Sequence, residues 1–274
     1  MFAINCKGKI VSWDAPLVMG IINATPDSFY KGNLQDDMLQ LAGRMLSDGA
    51  GILDIGGQST RPGSERITVE EELKRVLPVI SSIHQKYPDA LISIDTYYST
   101  VAAAAVEAGA GIVNDISGGK MDPLMYATVA QLNVPYICMH MKGTPGNMQQ
   151  DPQYEDVTKE VLDFFIATID TCTKAGIKDI IIDPGFGFGK TIEHNFSLLK
   201  KLEVFQMLHR PVLAGISRKS TIYKTLGTTA DQALNGTTVL NTMALMNGAS
   251  ILRVHDVKEA KEAVTLFTAY KKAR

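Results

Sequence analysis

The sequence predicts a single α/β domain built as a TIM (β/α)8 barrel. Three observations carry that prediction. Eight short apolar runs recur along 274 residues, nearly every run ends in polar or glycine residues, and most of the segments between them carry helical spacing. Runs this short and unbroken, without polar alternation, suit strands buried on both faces. An open sheet of six or seven strands, with one run misassigned, is the alternative; eight strand–helix alternations in this length favour the closed barrel.

The first run is 17–22 (LVMGII). Behind it Met38, Leu41, Ala42, Met45 and Leu46 fall at i, i+3, i+4, i+7 and i+8, with Gly49 placed to end the helix. The second run, 51–56 (GILDIG), precedes a capping-box pattern of Thr68 and Glu71, then Leu73, Val76, Leu77, Ile80 and Ile83 on one face. Pro78 inside that segment predicts a kink. The third run, 90–95, is followed by a small-residue helix, STVAAAAVEAGAG, able to pack closely on the sheet. After the fourth run, 111–115, Asp122 and Pro123 read as an N-cap and a first-turn proline. The remaining runs are 134–139, 177–183, 211–216 and 249–254. Lys190 and Thr191 are expected to open the helix after the sixth run, and Asp256 with Glu259 offers a box-like start to the last. Val239, Leu240, Met243, Leu245 and Met246 read mostly as core. No linker, charge block or low-complexity stretch divides residues 1–274, so one domain is expected.

Hydrophobic residues make up 45% and charged residues 20%, with a net charge of −2, which gives no electrostatic case for nucleic acid. Cys6, Cys138 and Cys172 are odd in number and lack CxxC spacing, which argues against a disulfide framework and for a reducing, cytoplasmic setting. The start lacks a signal-peptide core, and no apolar run approaches the roughly 18 residues of a membrane helix. A soluble protein without membrane contact is expected.

In a barrel of this kind the site forms where strands end and βα loops begin. Those positions hold Asn23 and Asp27, then Thr60, Arg61 and Pro62, then Asp95, Asn114 and Asp115. They continue with His140, Asp183, the Ser217–Arg218–Lys219–Ser220 stretch, Arg253 and His255. Polar groups are costly to bury unpaired, so such a ring implies a polar ligand or an internal network. Asp95, Asn114 and Asp183 suit the donor-rich edge of a flat heterocycle such as a 2-amino-4-oxo-pyrimidine. Arg61, Lys219, Arg253 and His255 suit anionic oxygens. Simpler readings stand beside these: Asp95 and Asp256 as helix caps, His140 or His255 as structural histidines, and Lys219 as a Schiff-base lysine. The histidines show no HxH or HExxH spacing.

Residues 183–191, DPGFGFGKT, end like a phosphate-binding P-loop. The pattern requires glycine where Pro184 stands, and proline has no N–H for a phosphate. Gly185, Gly187 and Gly189 also miss the GxGxxG spacing. The glycines are expected to turn the chain past a pocket, with Phe188 in its wall.

In order along the chain, GIINATPDSF, DIGGQSTRPGS, SIDTY, NDISGG, MHMKGTP, DPGFGFGK, GISRKS and LRVHDV closely resemble the bacterial dihydropteroate synthases. The resemblance spans nearly the whole sequence. It implies a pterin-binding TIM barrel, sensitive in its family to sulfonamides, that joins 6-hydroxymethyl-7,8-dihydropterin diphosphate to 4-aminobenzoate. Carried over by motif, Asp95, Asn114, Asp183, Phe188, Lys219 and Arg253 bind pterin. Thr60, Arg61, Pro62, Lys219 and Ser220 border aminobenzoate. Asn23, Arg61, Arg253 and His255 meet diphosphate, Asn23 also meets Mg²⁺, and Asp27, Arg61 and Lys219 act in catalysis. A homodimer through barrel helices is implied as well. Gln58 departs from the glutamate common at that place in the family. Pterin-dependent methyltransferases and a non-catalytic pterin-binding paralogue are the rival readings. The co-occurrence of STRPG and SRKS, with Asn23 and Asp27, favours the synthase.

Overall fold

A computed structural model describes residues 2–25, 34–59 and 63–273. The expectations placed on Asp27, Thr60, Arg61 and Pro62 lie outside the described residues.

All eight apolar runs are parallel strands: β3 (Leu17–Asn23), β4 (Ile52–Gly56), β5 (Ile92–Asp95), β6 (Ile112–Asp115), β7 (Tyr136–Met139), β8 (Ile180–Asp183), β9 (Leu213–Ala214) and β10 (Ile251–Val254). Their spatial order is β8-β7-β6-β5-β4-β3-β10-β9. A parallel bridge from Ile182 to Val212, with the Ile182 N–H donating to the Pro211 carbonyl at 3.0 Å, brings the last strand round to β8. The ring thereby closes into a barrel. β9 is the shortest strand, and Pro211 before it has no N–H for a ladder.

Two further strands precede the barrel. β1 (Phe2–Cys6) and β2 (Lys9–Trp13) pair antiparallel, from Phe2 opposite Trp13 to Cys6 opposite Lys9. Lys7 and Gly8 both take positive φ, the two-residue turn that matches strand twist. Ile4, Cys6 and Trp13 pack with Met19, Ile52, Ile112, Ile137, Ile181, Leu213 and Ile251. The hairpin thus plugs the barrel beneath its lowest interior layer.

Strand periodicity then places the chemistry. Side chains two residues apart share a face. Two positions beyond that apolar layer come Ile21, Asp54, Asn114, Met139, Asp183, Gly215 and Arg253. The same inward faces are therefore apolar at the plugged end and carry Asp54, Asn114, Asp183 and Arg253 at the other.

The ring of helices comprises α1 (Leu34–Ser47), α2 (Val69–Lys86), α3 (Ser99–Glu107), α4 (Met125–Leu132), α5 (Val157–Ala175), α6 (Ile192–Lys200), α7 (Ser220–Thr225), α8 (Leu234–Met246) and α9 (Val257–Lys272). A 3₁₀ segment, Leu202–Leu208, follows α6. The helices cover the barrel with a continuous apolar shell. No described helix is long and apolar enough to cross a membrane.

Local signals were realised unevenly. Thr68 caps α2 by accepting the Glu71 N–H at 3.2 Å, but the Glu71 carboxylate turns to Arg75 at 2.9 Å, so only half the box forms. Thr191 and His194 make a full capping box on α6. Asp122 accepts from Leu124 before α4 and from Ser99 at the start of α3, serving two helices. Asp256 makes no side-chain cap on α9, because Arg218 takes both its carboxylate oxygens. On α8, Leu240 and Leu245 are core, whereas Val239, Met243 and Met246 are 45–53% exposed, contrary to the core reading.

Candidate active site

The polar end of the barrel is organised around Arg253 on β10. Its Nε donates to Asp54 Oδ2 at 2.6 Å and its Nη2 to Asp95 Oδ2 at 2.6 Å. Asn114 on β6 adds an Nδ2 bond to the same Asp54 oxygen at 3.0 Å. Three strands are thereby tied through one guanidinium, and a fourth through the Asp54 carboxylate. Burial works against the charge on Arg253, but Asp54, Asp95 and Asp183 outweigh it and hold the group above its usual range. Burial pushes the Asp95 carboxyl up, with Asp54, Asp115 and Asp183 adding repulsion and Arg253 opposing. Asp54 is a site residue that strand-end position alone does not single out. Its signal was a carboxylate inside the apolar run GILDIG, a costly position unless paired.

Beside this network stands the second pair, Asp183 at the end of β8 and Lys219 beyond β9. A side chain at Gly215 would begin 3.7 Å from both Asp183 Oδ2 and Lys219 Nζ, so the bare glycine leaves the space between them open. Asp183 Oδ1 accepts the Gly185 N–H at 2.8 Å. Burial raises the Asp183 pKa, while Lys219, the Gly185 N–H, Arg253 and Lys190 pull it back. Lys219 donates to the Phe186 carbonyl at 2.5 Å and lies 4.5 Å from the centre of the Phe188 ring. Its pKa is pulled down to about 8, by burial first and then by Arg253, against Asp183 and Asp95. Phe188 packs with Tyr97, Ile116, Met139, Met141 and Met148 in an apolar cluster at this mouth. Anchoring polar groups thus face an apolar wall, the usual make-up of a small-molecule site.

Other expected residues take different places. Asn23 closes β3 on the same rim, its Cα paired with Gly56. His255 is exposed at the edge, with Nδ1 3.0 Å from Ser217 Oγ. Ser220 opens α7 directly after Lys219. Arg218 turns away from the pocket to hold Asp256 with two bonds of 2.7–2.8 Å and reaches the carbonyls of Ala230 and Asp231. His140 is a buried structural histidine whose pKa is pulled down to about 2 by burial and then by Lys190, Lys120 and Lys142. Lys190 does not open α6: it is 2% exposed and bonded inward.

The second βα loop is held at its far leg. Gln58 donates to the Tyr97 hydroxyl and accepts from the Ile67 N–H at 3.4 Å. Arg66 lies over the rings of Tyr97 and Tyr98 and donates to the Tyr98 hydroxyl at 2.6 Å. The Gly63 N–H donates to the Pro145 carbonyl on the loop after β7. Gln58 therefore anchors this loop with a neutral amide.

For a metal, the described residues bring together no cluster of three His, Cys, Asp or Glu side chains. A protein contribution of one amide oxygen from Asn23 fits Mg²⁺, which commonly keeps several waters and binds through substrate phosphates.

The family profile of pterin binding enzymes matches residues 19–255. The dihydropteroate synthase of Escherichia coli K12 is 42% identical over 268 residues, 96% of this chain and 94% of the relative. A Yersinia pestis dihydropteroate synthase solved with a sulfonamide drug complex superposes with a TM-score of 0.94 at 40% identity, covering 99% of this chain and 100% of that one. The Xanthomonas albilineans enzyme in complex with 7,8-dihydropteroate gives 0.89 at 38% identity, again covering 99% and 100%.

Proposed function

This chain belongs to the dihydropteroate synthase family of pterin binding enzymes, and from that premise we propose how its own residues divide the reaction. It condenses 6-hydroxymethyl-7,8-dihydropterin diphosphate with 4-aminobenzoate to 7,8-dihydropteroate and diphosphate, in folate biosynthesis.

The observation that carries the division of labour is the Asp183–Lys219 pair facing a space that Gly215 leaves open, beside the Asp54–Arg253–Asp95 network. Asp183 accepts from the pterin's amino and ring N–H groups, with Asp95 and Asn114 along the same edge and Phe188 against the ring. Arg253, His255 and Arg61 face the diphosphate. Mg²⁺, held through Asn23, supplies charge neutralisation at the diphosphate oxygens when bound.

The C–O bond to diphosphate breaks first, and its electron pair leaves with the diphosphate. The methylene carbon left behind is conjugated with the dihydropterin ring, which spreads the positive charge. Asp183 and Asp95 favour a ring gaining that charge. The aminobenzoate nitrogen then attacks the carbon and passes a proton to the released diphosphate. Thr60, Arg61, Pro62, Ser220 and the stem of Lys219 orient the amine, converting capture into an effectively unimolecular step. Asp27 and Arg61, from the first two βα loops, are assigned the role of keeping water from the cation.

The test is product formation with Mg²⁺ for wild type, Arg61→Ala and Asp183→Asn. Dihydropteroate from wild type with a loss of ~100-fold or more in each variant supports the assignment. Undiminished turnover in one variant removes that residue's role. No product from wild type, despite calorimetric binding of the pterin, would overturn the synthase reading.

The enzyme is also proposed to be cytoplasmic, in keeping with three free, buried cysteines. A homodimer is proposed to form on the α8 face that exposes Val239, Met243 and Met246. Light scattering should show Met243→Glu as monomer where wild type is dimer; an unchanged mass would move the interface elsewhere.

A further inference from the structure

We infer that Lys190, which has no part in the reaction above, is a positioning residue that shapes the pterin pocket from behind. Its ammonium pins the loop of residues 184–190 so that Phe188 and the Phe186 carbonyl stand against Lys219 and the Gly185 N–H against Asp183. The inference rests on the pterin reading of Asp183 and deepens it.

An ammonium carries three donors, and Lys190 Nζ has three close acceptors. His140 Nδ1 and the Gly185 carbonyl lie at 3.0 Å and the Phe188 carbonyl at 3.1 Å, with the His140 carbonyl farther off at 3.4 Å. One acceptor residue, His140, directly follows β7 and two belong to the loop itself. The imidazole must accept through Nδ1, which places the ring proton on Nε2.

Other bonds hold the loop at single points, among them the Gly187 N–H to Asn195 Oδ1 at 2.8 Å, but none gathers two of its carbonyls as Lys190 does. Gly185, Gly187 and Gly189 sit at φ 72°, 81° and 61°, so the chain turns without side chains at alternate positions. Carbonyls turned inward need a buried donor, since unpaired they are costly. Gln149 and Tyr154 brace the outer side by donating to the Gly187 and Gly189 carbonyls. Lys190 is the inner brace.

Its bonds are one residue removed from the pocket. Gly185 gives its carbonyl to Lys190 and its N–H to Asp183. Phe188 gives its carbonyl to Lys190 and its ring face to Lys219. A loop released from Lys190 loses both alignments together. Burial pulls the Lys190 pKa down to about 7, with Asp183 opposing and Lys219 and Lys142 adding to the fall, so the group is an ammonium below that value and feels the charge of the pterin anchor.

The experiment is calorimetric titration of the full chain with 6-hydroxymethyl-7,8-dihydropterin diphosphate, alongside steady-state kinetics. The proteins compared are wild type, Lys190→Met, His140→Phe and Asp183→Asn, each checked for folding by circular dichroism. The expected result is a loss of pterin affinity on the order of 10- to 100-fold in Lys190→Met and a smaller loss in His140→Phe. KM for the pterin should rise more than kcat falls. A purely structural role would lower the melting temperature while leaving affinity per folded molecule unchanged. Folded variants that bind within about two-fold of wild type overturn the proposal. If Lys190→Met does not fold, His140→Phe decides alone. Wild-type affinity in Asp183→Asn would instead overturn the pterin reading, whatever the Lys190 variants do.

Discussion

Charge placement at single residues decides much of this site. Arg253 neutralises two buried carboxylates through bonds of 2.6 Å. Removing one partner of a buried pair leaves an uncompensated charge, so Arg253→Met should cost about 3–5 kcal/mol in urea unfolding as well as activity. Burial, aided by Arg253, pulls the Lys219 pKa down to about 8. Its cation is present below that value, so kcat/KM should fall as pH rises through about 8. In Lys219→Arg that alkaline limb should move well upward, whatever the residual rate. Glu72 gives the opposite experiment. Neither of its buried carboxylate oxygens has a normal hydrogen-bond partner, and burial raises its pKa from 4.5 to about 7. A raised carboxyl contributes stability at low pH that is lost as pH rises through the folded value. Glu72→Gln should therefore stabilise the protein by roughly 3 kcal/mol at pH 8 and hardly at all at pH 4.5, read by denaturant melts. At this scale the sequence named Asp95, Asn114, Asp183, Lys219 and Arg253, because each follows or ends an apolar run. It did not name Asp54, since its partners Arg253 and Asn114 lie 199 and 60 residues away.

Elements were legible where their controls are local. The apolar runs became strands within a few residues, and Thr68 and Thr191 cap their helices through bonds to residues three positions on. Asp256 failed as a cap because Arg218, 38 residues earlier, competes for its carboxylate with two charged bonds. A charged pair outbids a backbone N–H. Lys190 was misplaced for the same reason: helix-start statistics do not register a buried acceptor set closed by His140, 50 residues away. The glycine loop supplies a sharp prediction. A Cβ on Gly185 would lie 1.9 Å from the His140 carbonyl oxygen, at φ 72°. Gly185→Ala should therefore abolish pterin binding by calorimetry while the barrel's far-ultraviolet dichroism persists.

At the scale of the molecule, the barrel is sealed at one end and chemical at the other. Trp13, 8% exposed, anchors the hairpin that closes the lower end. Trp13→Ala should cost about 3–5 kcal/mol in denaturant unfolding, the range for a large buried aromatic. As the sole tryptophan, it should also report unfolding of the plug by fluorescence. The hairpin escaped the sequence reading because Lys7-Gly8 is a weaker turn signal than Asn-Gly, and because its apolar residues pair with strands not yet folded around them. By itself the sequence determined the barrel, the order of its strands and the polar rim, since these follow from periodicity and from where each run stops. Only the tertiary structure decided which rim residues neutralise one another and which remain for substrate. Those pairings depend on distances across a closed ring, where residues far apart in the chain meet in a low-dielectric interior that leaves few buried charges unpaired.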